Sequence, residues 1–353
     1  MQNTLRNKIQ NIIDNDQYKD TEITLRLINL INEIDFPVTL HKETKSIGEL
    51  CTNLVTTMSK ESIYKDSILT GFTDFDAKFR GFSPGEFVVV GARPGMGKTN
   101  FILNMAINMA EKQAVQLFSF DNSETNLAIK VLSCVSEISM GKFDYDKITP
   151  YELEAIKKAS EKIANLKLYI KECSYANYQE FKNELLKQIK EKDLKVVFVD
   201  FLQSMIPTKF RNNREFEIGY ICRELKAIAK EYNICIVATS QLSRAVESRG
   251  SSKRPQLADL RDSGMIEQEA DKVIFLYRPE YYGLEMLEDG TTTRNLMELI
   301  VAKNRDGKVD EVKMGCHFHF CKVIDYNHFD FSDFDFGGGI IIDRFKDLGQ
   351  DEF

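Results

Sequence analysis

Short apolar runs recur through the middle of the chain: Phe87–Val90, Val115–Phe118, Leu166–Ile170, Val196–Val199, Ile234–Val237 and Val273–Leu276. They are mostly rich in β-branched residues and, apart from Gln116 and Lys167, are uninterrupted by polar residues, as expected of strands covered on both faces. Between them lie longer stretches whose apolar positions recur every three or four residues, which predicts helices. Strand and helix in turn give an α/β domain with a mostly parallel central sheet flanked by helices. The later segments, Leu296–Ala302 and Glu311–Phe320, alternate more and are expected to form an antiparallel edge. Upstream, Ile47, Leu50, Leu54, Val55 and Met58 mark one face of a short amphipathic helix. Its narrow stripe suits either the edge of its own domain, the simpler expectation, or the surface of another subunit. Leu25, Leu27, Ile28, Leu30 and Ile31 predict a further helix, which Pro37 interrupts. The expected organisation is therefore a helical N-terminal segment (1–45), a linker helix (46–67), the α/β domain (68–328) and an acidic, Phe-rich tail (329–353).

Composition narrows the class. The 353 residues are 43% hydrophobic and 29% charged, a globular balance, and no apolar run is long enough to span a bilayer. Seven cysteines without paired spacing fit reduced thiols and a cytoplasmic location. The net charge of -7 does not mark a nucleic-acid binder, but a protein can confine its basic groups to one channel, so charge has to be judged locally.

The clearest chemistry lies at Ala92-Arg93-Pro94-Gly95-Met96-Gly97-Lys98-Thr99, after one predicted strand and before one predicted helix. Glycines such as Gly95 and Gly97 let backbone N–H groups approach a β-phosphate, and the helix N-terminus favours negative charge. Lys98 can reach the β- and γ-phosphates, and the Thr99 hydroxyl suits Mg²⁺. Arg93, within the loop, is grouped with the nucleotide-binding residues. A chance Gly-rich turn would lack this strand-loop-helix context. Val196–Val199 ends in Asp200, placing a carboxylate for Mg²⁺ at the end of a central strand. ATP with Mg²⁺ is the expected ligand pair.

Two segments after strand ends are locally basic: Lys209, Arg211 and Arg214, then Arg244, Arg249, Lys253 and Arg254. Charge runs are usually solvated loops, but loops leaving nucleotide-coupled strands suit non-specific contact with single-stranded DNA phosphates. Phe210, between Lys209 and Arg211, is the one aromatic interleaved in these loops, so phosphate tracking is expected over base stacking. Cys316-His317-Phe318-His319-Phe320-Cys321 places His317, His319 and Cys321 on one face if it is a strand. Zinc is set aside there, because tetrahedral sites rarely draw three ligands from one strand. The tail is expected to be a flexible extension; its acidic, Phe-terminated end makes a weaker case for recruiting partners.

Five segments together carry a family resemblance: GARPGMGKT at 91–99, DFLQ at 200–203, SQL at 240–242, DLRDSGMIEQEAD at 259–271 and KNRDG at 303–307. In this order and spacing, over about 68–325, the chain resembles the C-terminal motor domain of DnaB-type replicative helicases. The resemblance implies a RecA-like P-loop NTPase core, a homo-hexameric ring around single-stranded DNA, ATP sites between subunits, and 5′ to 3′ travel. It implies Gln241 as the γ-phosphate sensor, and Lys303 with Arg305 as a basic pair entering a neighbour's site, Arg305 as the arginine finger. The family usually carries a Glu at the end of the second strand; here Asp121 holds that place in FSFDNSE, with Glu124 the nearby alternative. Asp121 is preferred, with slower hydrolysis than a Glu would give. About 45 residues precede the linker helix, so the family's larger N-terminal domain is expected to be absent or reduced, which puts a primase contact in doubt. A helicase loader or replisome protein remains an expected partner. Two activities fit: a replicative helicase, or a DNA-dependent ATPase acting as a switch or loader without processive unwinding. Strand exchange fits the core but not DLRDSGMIEQEAD.

Overall fold

The structure, a computed structural model, describes residues 44–59, 66–145, 148–173, 177–205, 214–249, 253–260 and 263–326, together with Gln10 and Ile13. The expected leader helix around Leu25–Ile31 and the tail after residue 326 lie outside the described residues. Two compact units divide at Ser59 and Lys60. The first contains α1, Ile47–Met58, which begins on a capping box. Ser46 Oγ accepts the Glu49 N–H while the Glu49 carboxylate accepts the Ser46 N–H, both at 3.1 Å.

In the second unit the chain runs α2 (Thr73–Phe79), β1 (Phe87–Ala92), α3 (Lys98–Ala110), β2 (Val115–Ser119), α4 (Glu124–Ser136), α5 (Met140–Tyr145), α6 (Pro150–Ala164), β3 (Leu168–Glu172), α7 (Tyr178–Lys192) and β4 (Val196–Asp200). It continues through α8 (Arg214–Tyr232), β5 (Cys235–Gln241), α9 (Ala245–Ser248), α10 (Ser263–Glu269), β6 (Lys272–Tyr277), β7 (Leu296–Asn304), β8 (Asp310–His317) and β9 (Lys322–Asp325). The strands form one sheet in the order β3-β2-β4-β5-β1-β6-β7-β8-β9. The six from β3 to β6 are parallel, and β7, β8 and β9 extend the sheet antiparallel.

Strand alternation sorts the core into two layers. Val88, Val90 and Ala92 of β1 face α3, whose Phe101, Ile102, Met105 and Met109 join the same apolar cluster. Phe87 and Val89 point the other way, into the cluster that also holds Phe181 and Leu185 of α7 and Ile221 and Leu225 of α8. All five of these β1 residues are buried, which explains an unbroken apolar run. Among the contacts that tie the antiparallel edge to the body, Asp325 of β9 accepts the Thr73 N–H at 2.8 Å, supplying a carboxylate to the start of α2.

The segment 316–321 departs from the expected continuous strand. β8 ends at His317, Phe318–Phe320 makes a 3-10 turn, and Cys321 follows at φ 51°. The turn breaks the alternation that would have aligned His317, His319 and Cys321, while Cys316 and Cys321 are buried. Among the described residues no helix is long and apolar enough to cross a membrane.

Candidate nucleotide site

β1, β4, β5 and β6 are parallel neighbours, so their C-terminal ends converge on one edge of the sheet, where open α/β folds bind ligands. The loop after β1 runs into α3 with Gly95 at φ 78° and Gly97 at φ 90°. A side chain at Gly97 would also be crowded, since an added Cβ would lie 2.5 Å from the Phe318 ring. The loop opens onto a cleft of about 580 Å³ lined by Lys98, Thr99, Asp121, Asp200 and Gln241, with Lys130, Arg278 and Phe318.

Asp200, buried at the end of β4, accepts hydrogen bonds from Thr99 Oγ1 at 2.7 Å and from Thr239 Oγ1 at 2.6 Å. Its two oxygens are thus aimed, and Thr99 and Asp200 form an oxygen pair suited to a hard divalent cation. Lys98 Nζ donates to Ala92 O at 3.1 Å and Arg93 O at 3.3 Å. Burial lowers its pKa to about 8, against the opposing pull of Asp200; Arg93 lowers it further and Asp121 raises it. An ammonium resting on two carbonyls in a poorly solvated site is readily drawn to an arriving anion.

The structure separates the two acidic candidates. Asp121 lines the cleft. Glu124 instead accepts the Glu172 N–H at 3.2 Å, while Glu172 accepts the Glu124 N–H at 3.1 Å. Sequence inspection missed Arg278, Phe318 and Lys130. Arg278 follows β6, the neighbour of β1; it donates to Gly95 O at 3.4 Å and lies 4.3 Å from the centre of the Phe318 ring. The guanidinium side chain of Arg93, conversely, is buried outside the cleft, with Nη1 donating to Leu242 O at 2.8 Å.

Lys303 and Arg305 lie at the other edge. β7 runs antiparallel to β6, with Glu298 beside Tyr277 and Asn304 beside Lys272. The end of β7 therefore sits level with the start of β1, roughly 20 Å from the phosphate loop at about 3.3 Å per residue. There Arg305 pairs with Asp271 at 3.3 Å and Lys303 Nζ donates to Glu267 O. Asp271 also accepts the Phe87 N–H at 2.8 Å and binds Lys226.

The basic loop residues have mixed placements. Lys209 and Arg211 lie outside the described residues. Arg214 turns back onto Met205 O, Gln203 O and Glu217. Arg249 binds Asp259, Lys253 binds the carbonyls of Glu247 and Arg249, and Arg254 binds Glu298 and Glu311. Of the five described residues only Arg244 is exposed.

A larger cleft of about 730 Å³ is lined by Glu137, Glu152 and Glu280 with Arg294, His317 and His319. Three carboxylates and no glycine loop make it a poor polyphosphate site, and burial lowers the His317 pKa, favouring the neutral ring.

Residues 67–325 match the model of the DnaB-like helicase C-terminal domain. The chain belongs to this family. It is 35% identical to the replicative DNA helicase DnaB of Geobacillus stearothermophilus over 250 residues, covering 70% of this chain and 54% of that protein. A similar relative is the replicative DNA helicase DnaC of Bacillus subtilis, 36% identical over 265 residues, which cover 74% of this chain and 56% of that protein. The chain thus spans about half the length of the curated relatives it matches. A solved DnaB-like replicative helicase, studied with its interactions with primase, gives a TM-score of 0.76 at 27% identity, over 92% of this chain and 76% of that one. The family core here is the nine-stranded RecA-like sheet with its phosphate loop at the parallel edge.

Proposed function

We propose that this chain is the ATP-hydrolysing motor of a DNA helicase, working in a ring of identical subunits during DNA replication in the cytoplasm. The observation that carries the proposal is the separation of the phosphate loop from Lys303 and Arg305 on opposite edges of one rigid sheet. A protomer cannot bring its own Arg305 to its own nucleotide, whereas the next protomer can. An arginine supplied in trans stabilises charge on the transferring phosphoryl group and is worth about 10³–10⁵ in rate. Hydrolysis is thereby tied to assembly.

Within one site, the loop amides, Lys98 and Arg278 hold the ATP phosphates, and Thr99 with Asp200 would hold Mg²⁺. When bound, the ion would supply positive charge against the developing negative charge of the phosphates. Asp121 orients the attacking water, and Gln241 at the end of β5 senses the γ-phosphate. Arg244, with Lys209 and Arg211, contacts single-stranded DNA phosphates. Arg214, Arg249, Lys253 and Arg254 brace their loops in the isolated chain. Travel from 5′ to 3′, six subunits, and a helicase loader or replisome protein as partner are the corresponding family expectations.

The test mixes Lys98→Ala and Arg305→Ala proteins, each inactive alone. Random head-to-tail assembly of an equal mixture joins an intact Lys98 to a neighbour's intact Arg305 at about a quarter of interfaces, so ATPase activity should return to about that fraction. No recovery means that Arg305 does not act between subunits. Strand separation on a forked substrate then tests the helicase; DNA-stimulated hydrolysis without separation points to a switch or loader.

A further inference from the structure

The phosphate loop is stitched to the segment after Gln241 through Leu242 and Glu247. Ala92 O accepts the Leu242 N–H at 3.2 Å and, at the same time, the Lys98 ammonium at 3.1 Å. In return, Arg93 Nη1 donates to Leu242 O at 2.8 Å, and Arg93 Nε donates to Glu247 Oε1 at 2.8 Å. Glu247 lies on α9, between Arg244 and Arg249. The Arg93 side chain is only 7% exposed, against 44% for Glu247, so the guanidinium has left water and depends on this carboxylate and carbonyl for compensation. Arg93 is also bound through its backbone, because its carbonyl accepts the second Lys98 hydrogen bond at 3.3 Å.

These contacts form a continuous path from the phosphate position to α9. A triphosphate draws the Lys98 ammonium away from Ala92 O and Arg93 O, which removes a charged donor from the two carbonyls at the start of the loop. The Arg93 side chain carries the resulting shift of the backbone directly to Leu242 and Glu247. We propose that Arg93 and Glu247 form a strap that transmits phosphate occupancy to the loop bearing Arg244, as positioning residues whose side chains touch neither nucleotide nor DNA. The strap rests on the reading of this chain as an ATP-driven DNA motor, and it is separate from Gln241, which faces the cleft itself.

The experiment measures affinity of the full chain for a fluorescent oligothymidine, with and without a non-hydrolysable ATP analogue and Mg²⁺. For the wild type the ratio of the two affinities should fall in the range of about 5–150-fold usual for coupled sites. Glu247→Gln keeps the shape and removes the charge. It should cut that ratio to about twofold or less, with nucleotide affinity and DNA-free hydrolysis held near wild type. Because linkage is reciprocal, the tightening of nucleotide by DNA should shrink by the same factor. A wild-type ratio in Glu247→Gln overturns the strap and leaves the motor intact. Loss of nucleotide binding together with the ratio also overturns it, making the pair a structural brace of the phosphate loop. A wild-type protein whose DNA affinity ignores nucleotide overturns the motor reading, and the strap with it.

Discussion

ATP affinity should fall about tenfold between pH 7 and pH 9, because Lys98 titrates in that interval. Burial, reinforced by Arg93, holds its pKa at about 8 against the opposing influence of Asp200 and Asp121. Bound triphosphate favours the ammonium, so the protonated form is the one that binds and affinity is present below pH 8 and lost above it. With that pKa, about nine-tenths of the free protein is protonated at pH 7 and about one-tenth at pH 9. The ratio corresponds to about 1.4 kcal/mol of binding free energy. At pH 8 each binding event should take up about half a proton. Titration calorimetry in two buffers of different ionisation enthalpy measures this uptake directly, and Lys98→Arg provides a control whose charge does not titrate in the range. Flat affinity from pH 7 to 9 with no proton uptake at pH 8 would refute the depressed pKa.

Three further substitutions probe other parts of the site and its supports. Asp121→Asn should abolish ATP turnover in the assembled, DNA-bound protein while leaving calorimetric nucleotide affinity within about threefold; unchanged turnover would remove Asp121 from the mechanism. Gly97→Ala places a Cβ 2.5 Å from the Phe318 ring at a φ of 90°, a strain of about 1–3 kcal/mol. It should lose ATP binding while its circular dichroism spectrum stays native. Arg254→Ala strips the cation from Glu298, whose pKa burial already raises, and should cost about 1–2 kcal/mol after allowance for the partial exposure of Arg254. The loss, read by urea denaturation, should shrink as pH falls and Glu298 takes up a proton. DNA affinity should be retained, and its collapse at unchanged stability would move Arg254 into the DNA contact.

Local chemistry was readable wherever neighbouring residues suffice to define it. The unbroken apolar runs marked β1, β4 and β6 because burial on both faces demands such runs. GARPGMGKT marked the glycine loop between β1 and α3, and Ile47–Met58 emerged as α1 with its periodicity intact. Residues joined only by the sheet order were harder to see. Arg278 is nearly two hundred residues from Gly95 and meets it because β6 is the neighbour of β1. Phe318 reaches Gly97 through a 3-10 turn that its alternating sequence disguised, and β9 is too short for its pattern to rise above the background. Side-chain direction was the other blind spot. Arg93 sits inside a nucleotide motif yet points towards Glu247, and most of the basic loop residues find carbonyls or carboxylates in their own chain. DLRDSGMIEQEAD could be recognised as a signature without explaining it. Its terminal residues are now seen as anchors, Asp259 for Arg249 and Asp271 for Arg305.

The β6–β7 hairpin reversal has an arithmetical consequence for assembly. If Arg305 acts on the next protomer as proposed, every contact would be heterologous, and association would stop only when the rotation between successive copies brought the last onto the first. An open row of n protomers would contain n − 1 complete sites, whereas closure completes all n. A gap made to admit a DNA strand would silence the one site that straddles it, leaving the others competent.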